Sequence, residues 1–144
     1  MKTHSLIQEA DLLAIVESTE EELSKATATL DANSAITLDG AFEAGIFARL
    51  LEGKKLSSST ITVAGERAFV LIHGFNAAGW LVIEGAVTLG QRPIKDLLEG
   101  SYALARHLKA PRIVIVTKLK ALYQYASDHN FKTVGVMLCG EVSA

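Results

Sequence analysis

The chain has 144 residues, of which 49% are hydrophobic and 21% charged, with a formal net charge of -2. Those values describe one globular domain with a core large enough to need no covalent staples. They exclude the basic field that a nucleic-acid partner calls for, and no apolar run approaches the ~18 residues of a membrane span.

The single cysteine, Cys139, excludes an internal disulfide and points to a reducing compartment. The acids of "MKTHSLIQEADLLAIVESTEEEL" come too early for a signal peptide. Leu6, Ala10, Leu13 and Val16 recur at helical spacing and predict a first helix over about residues 4–17. "STEEEL" opens a second, over about 19–30. Ser18 with Glu21, or Thr19 with Glu22, fits a capping box, and the three glutamates suit the positive end of the helix dipole. After the loop "DANSAITLDG", Asp39 can cap a third helix with Phe42, Ile46 and Leu50 on one face and Gly53 at its end. These helices are expected to pack on a sheet, with Leu13, Phe42, Phe47 and Leu50 largely buried.

From Ser59 the period falls to two. "STITVAG", "RAFVLIHG" and "GWLVIEGAVTL" predict a three-strand meander turning at "AGER" and "FNAAG". A helix follows over about Ile94 to Lys109. "RIVIVT" is an unbroken β-branched run of the kind buried on both sides. "LKALYQYASDHN" then predicts a short helix and "FKTVGVMLCG" a last strand. The order is ααα-βββ-αβ-αβ, an α/β (α+β) domain with a mixed sheet over residues 1–144: a helical part to 56, then sheet and crossover helices. The strands around Val82–Leu89 and Ile113–Thr117 are expected to run parallel, joined by the long helix.

Strict alternation along "WLVIEGAV" sets Trp80, Val82, Glu84 and Ala86 on one face, and Leu81, Ile83, Gly85 and Val87 on the other. Glu84 is therefore either a pocket-wall carboxylate or a glutamate on a solvent-facing strand. No two of His4, His73, His107 and His129 have metal-ligand spacing, and Cys139 stands alone, so no metal is expected.

The pieces "GWLVIEGAVTLG", "IKDLLEGSYALARHLKA", "PRIVIVT" and "LKALYQYASDHNFKTVGVML" together resemble the GNAT superfamily of acyl-CoA-dependent N-acyltransferases. The last is similar to the family's closing signature, an "A-L-Y" helix leading to a "G-F-K-x-V-G" strand. Here Asn130 replaces the glycine and Phe131, Lys132, Val134 and Gly135 follow. The resemblance covers about residues 58–140, lacks a strand before the first helix, and comes nearest in look to short GNAT-like proteins of bacteriophages.

The resemblance implies acetyl-CoA or another acyl-CoA as co-substrate, with its pyrophosphate on backbone amides where the helix starts after the long strand. The usual motif there is Q/R-x-x-G-x-G/A. Counting from Gln91 puts the first glycine at Ile94, and from Arg92 at Lys95, so the loop is degenerate. Leu89, Gly90, Gln91, Arg92 and Lys95 are the candidate cofactor contacts, with Pro93 removing one donor. Glu84 is the candidate general base, and Tyr123 or Tyr125 the general acid for the departing thiolate. Two functions stay open. One is an N-acetyltransferase with an unknown amine acceptor. The other is a catalytically silent GNAT-fold binding, structural or assembly protein of a bacteriophage, with a protein partner. Homo-oligomers are compatible with both, and the implied location is a bacterial host cytoplasm or a virion.

Overall fold

The computed structural model describes residues 12–33, 50–90, 93–115, 124, 127–128 and 131–132. Its first element corrects the sequence reading. Leu13–Val16 is a strand, β1, where the first helix was expected to end. Five apolar residues in a row, Leu12 to Val16, satisfy a helix or a strand equally well, and spacing alone cannot choose between them. The choice is made by a distant partner. β1 lies antiparallel on β2 (Ser57–Val63), in register from Leu13↔Val63 to Val16↔Thr60, so its backbone groups are paired without a helix.

Helix α1 spans Glu20–Asn33. Of the two capping boxes compatible with the sequence, Thr19 with Glu22 forms. The Glu22 amide donates to Thr19 Oγ1 at 3.1 Å, and the Thr19 amide to Glu22 Oε1 at 2.9 Å. Of the third expected helix, residues 50–52 are described and helical; Phe42 and Phe47 lie outside the described residues. It ends at Glu52, just before Gly53, and Lys54 takes the left-handed φ of 59°. The following amides fold back, Lys55 onto the Leu50 carbonyl at 2.9 Å. Leu13 and Leu50 are half-buried rather than largely buried.

The meander is as expected. β2, β3 (Glu66–Phe75) and β4 (Leu81–Thr88) pair antiparallel in that order. Ala64 and Gly65, at φ 53° and 82°, make the two-residue turn whose twist matches a right-twisted hairpin. Asn76 shapes the second turn, its Oδ1 accepting the amides of Ala78 and Trp80, both at 3.0 Å. Helix α2 covers Ile94–His107, short of Lys109, whose φ of 58° ends it. β5 (Ile113–Ile115) runs parallel to β4 from Leu81↔Ile113 to Ile83↔Ile115, as a helical crossover requires. The sheet order is β1-β2-β3-β4-β5, a mixed five-stranded α+β architecture. Of the last predicted helix and strand, only residues 124, 127–128 and 131–132 are described.

The two faces of the sheet bury separate clusters. On one, Ile61, Phe69, Leu71, Leu81 and Ile83 meet Leu104 and Ala105 of α2. On the other, Val70, Ile72 and Val87 meet Ala26 and Leu30 of α1. Each fully buried side chain of this size stabilises by about 1.5–3 kcal/mol.

Candidate active site at the β4 bulge

Two breaks in register decide which residues meet. Between β3 and β4, Ile72 pairs with Gly85 and His73 with Ile83, so Glu84 has no partner across the ladder. It is the extra residue of a β-bulge. Between β2 and β3, Ile61 pairs with Phe69 and Thr62 with Arg67, which makes Ala68 a second extra residue.

The first bulge overturns the alternation read from the sequence. Leu81 and Ile83 pack with α2, but Val87 packs with α1, and the nearest atoms to Gly85 belong to Leu30 of α1. The strand changes sides at Glu84. The register thus places Val82, Glu84, Gly85 and Val87 toward α1. The glutamate itself is half-buried, and burial raises its carboxyl above the usual carboxylate range. Of the two readings of Glu84, a free solvent-facing carboxylate does not fit this setting.

Gly85 allows α1 to lie close. A Cβ there would stand 2.6 Å from Leu30 Cδ1 and 2.9 Å from Leu30 Cδ2. Gly85→Val is expected to destabilise the chain by about 1–3 kcal/mol through overpacking. Leu30→Ala in the same chain should recover part of that loss. Urea unfolding of the two variants checks it; a Gly85→Val chain as stable as the wild type would show that Leu30 swings away freely.

The second bulge serves α1 at its other end. By strict alternation Arg67 would share a face with Phe69, away from α1. The extra residue at Ala68 turns it over, and its guanidinium reaches Glu22, with Nη2 donating to Oε1 at 2.9 Å and to the Glu17 carbonyl at 2.7 Å. Thr60 Oγ1 donates to the same Glu22 oxygen at 3.1 Å, and Ser18 Oγ lies 2.8 Å from Thr60 Oγ1. The Arg67 hydrogen bonds hold the Glu22 carboxyl down to about 2, although its burial works in the other direction. This network clamps the start of α1 to β2 and β3 while Leu30, further along the same helix, covers Gly85. Sequence reading finds the Thr19–Glu22 cap but misses Arg67, because 45 residues separate the pair.

His73 is a second group that sequence reading leaves unassigned. It is buried, its Nε2 lies 2.9 Å from Ser59 Oγ, and burial lowers its pKa to about 4, so it is neutral at pH 7. It follows Phe69 and Leu71 on the α2 face, so the sheet separates it from the α1 side of Glu84.

Beyond β4, the Leu89 amide donates to the Ala68 carbonyl at 2.8 Å, and Gly90 and Lys95 are exposed. Pro93 stands at the cap of α2 in extended conformation (φ -69°, ψ 152°), with no side-chain bond to the first-turn amides. The Asp96 amide is taken by the Pro93 carbonyl at 3.0 Å. Gln91, Arg92, Tyr123 and Tyr125 lie outside the described residues. Among the described residues, no three His, Cys, Asp or Glu side chains gather in a metal-binding group, and no helix is long and apolar enough to cross a membrane.

No protein-family model matches the chain, and no curated protein matches it in sequence. Its structure is similar to solved structures. One is a possible acetyltransferase from Clostridium difficile 630, at TM-score 0.53 and 16% identity over 92% of this chain and 99% of that one. Another is a transcriptional regulator from Bacillus halodurans C-125, at TM-score 0.55 and 17% identity over 90% of this chain and 99% of the other. A third is an acetyltransferase from Trypanosoma brucei, at TM-score 0.52 and 16% identity over 90% and 99%. Among the described residues, β1 supplies a strand ahead of the helix Glu20–Asn33, where the sequence reading had none. At these identities the likeness concerns architecture alone: the chain has the fold of the GNAT-like acetyltransferases.

Proposed function

We propose that the protein is an acyl-CoA-dependent N-acyltransferase. The observation that carries this reading is Glu84, a half-buried carboxyl with a raised pKa, held at a bulge next to Ile83, which pairs in parallel with Ile115 of β5. A carboxylate poised nearer neutrality takes a proton effectively at neutral pH. Glu84 removes a proton from the acceptor ammonium, directly or through a water. The amine nitrogen attacks the thioester carbonyl, and the carbon–sulfur bond breaks as the amide forms. The CoA thiolate leaves with a proton from Tyr123 or Tyr125. The CoA pyrophosphate rests on the amides between Gly90 and Asp96 other than that of Pro93, with Arg92 or Lys95 adding charge.

Calorimetric titration with acetyl-CoA tests the reading. Binding is expected in the wild type. Arg92→Ala with Lys95→Ala should weaken it at least about tenfold, equivalent to ~1.4 kcal/mol. A second reading, a GNAT-fold protein that binds or assembles without chemistry, in a phage particle among other settings, is favoured by Pro93 at the α2 cap and by Ile94 and Lys95 where the phosphate loop needs glycine. Wild-type protein giving no heat, no melting shift and no turnover at millimolar acetyl-CoA would leave only that second reading.

A further inference from the structure

On the α1 side of the sheet, Glu84 has cationic neighbours that proton transfer does not use. Leu81 is fully buried in the cluster that packs with α2, and Ile113 packs against the same cluster. Trp80 and Arg112 each stand one residue earlier, so alternation turns both to the α1 side. They meet there. The Arg112 guanidinium lies 5.4 Å from the Trp80 ring centre, within the range of a cation–π contact. Trp80 is half-buried and Arg112 exposed, so the ring steadies a guanidinium that still faces solvent.

More positive charge reaches this side from the chain that leads into β2. Gly74 pairs with Val82 across the ladder. A Cβ on Gly74 would stand 3.2 Å from Leu56 Cδ2 and 3.5 Å from the Lys55 carbonyl oxygen, and Leu56 packs with the α1 cluster. The backbone at Lys55 therefore lies over the end of β3, on the side that Trp80 and Arg112 face. Lys54 and Lys55 are exposed, and neither these nor Arg112 forms an ion pair with a described residue. Between the two flanks lie Val82 and its parallel partner Val114, both half-buried. Two strand spacings, about 10 Å, separate β3 from β5. Glu84 stands four residues along β4 from Trp80, ~13 Å of strand.

We propose that the acceptor is the N-terminal amine of an acidic peptide, which lies along β4 with its amine at Glu84 and sets a side-chain carboxylate against Arg112 and Lys55. The assignment rests on the acyltransferase reading of Glu84. The distance selects the class. A free amino acid carries its ammonium and carboxylate too close together to reach both ends. An extended peptide advances ~3.3–3.6 Å per residue, so an amine at Glu84 brings the third or fourth residue beside Arg112. Guanidinium–carboxylate hydrogen bonds are charge-assisted and frequently bidentate, and Val82 and Val114 supply an apolar floor between the two ends. A nucleic acid would satisfy the cations but bring no alkyl amine to Glu84, in a chain whose net charge is -2.

Trp80 is the single tryptophan of the chain, so its fluorescence reads the subsite without any chemistry. The full chain is titrated with the peptides Ala-Ala-Glu-Glu-Gly and Ala-Ala-Gln-Gln-Gly, and acetyl transfer to each is followed by thiol release from acetyl-CoA. The acidic peptide is expected to bind and react at least about tenfold better at ~50 mM salt, with a smaller margin at ~500 mM. Moving its acids to the first two positions should remove the advantage. Arg112→Gln should bring the acidic peptide to within about threefold of its glutamine counterpart. Lys55→Gln should narrow the margin as well, and serves if circular dichroism shows that Arg112→Gln does not fold. Equal transfer to both peptides would leave the acyltransferase standing and overturn the proposal. A charge-dependent Trp80 response with no thiol release would keep an anion subsite but overturn its role in acceptor binding. A margin that survives both substitutions, a wild type that takes neither peptide, or tighter binding of a single-stranded oligonucleotide overturns it too.

Discussion

Glu84→Gln is expected to lower kcat by about 10²–10⁴-fold, the usual contribution of a positioned acid or base, while acetyl-CoA affinity stays within about twofold. The amide keeps the shape and loses the ability to take a proton. The two outcomes separate because Glu84 is placed toward α1, whereas the proposed phosphate contacts lie beyond the end of β4. Stability should move the other way from activity. Burial raises the carboxyl pKa, so keeping it ionised in the folded state costs free energy above that pKa, and the cost disappears as pH falls through it. Glutamine removes the cost, and the melting temperature at pH 7 should be unchanged or slightly higher. In the wild type, kcat/KM should fall as pH drops and the base takes up its proton, with an apparent pKa above the ordinary ~4.3 of a glutamate. Initial rates of thiol release against pH for both proteins give the answer. A variant that retains the wild-type rate and acid limb would remove Glu84 from the chemistry while leaving acetyl-CoA binding to be judged by calorimetry.

The largest stability effect is expected at Glu22. Glu22→Ala removes one half of the capping box, worth about 0.5–2 kcal/mol, and the acceptor of Arg67 and Thr60, where hydrogen bonds to charged groups are worth roughly 1.5–3 kcal/mol. The Arg67 side chain is 39% exposed, so solvent screening reduces its share, and a total loss of about 2–3 kcal/mol is expected. The pH dependence has a definite sign. The folded pKa of about 2 lies below the unfolded value, so the stabilisation is complete above ~4.3 and is lost as pH falls toward 2. Urea unfolding at pH 7, 4 and 2.5 should show the wild type and Glu22→Ala converging in acid. A double-mutant cycle with Arg67→Ala should show the two substitutions to be coupled at pH 7 and independent at pH 2.5. A gap that does not narrow in acid would place the effect in the packing and neutral hydrogen bonds of the Glu22 side chain and not in the ion pair.

The sequence makes some of this visible and hides the rest for identifiable reasons. β2, β3 and β4 show themselves because one side of each is buried, and burial imposes a period of two. The Thr19–Glu22 cap shows itself because both partners lie within four residues. β1 does not, since what makes Leu13–Val16 a strand is the free edge of β2, more than forty residues away. The bulge at Glu84 leaves the order of apolar and polar letters intact, and its one outward sign is Gly85 inside a strand, a position where glycine often marks a break in pairing. The pairing of Arg67 with Glu22 depends on the other bulge, at Ala68, which no local signal announces. The long helix begins at Ile94, where the sequence places it, with Pro93 at its cap.

The extra residue at Glu84 shifts the alternation of β4 by one, so a change of length here acts on the phase of the strand in a definite way. Deleting Glu84 alone would restore an unbroken pleat, with Ile83, Gly85, Ala86 and Val87 keeping both their partners on β3 and their faces. Removing Glu84 together with Gly85 would instead turn everything after them to the opposite face, with Val87 toward α2. A homologous chain that keeps this architecture should therefore tolerate a one-residue gap at Glu84, where it loses the bulge and the carboxyl together, but no two-residue gap between Ile83 and Val87.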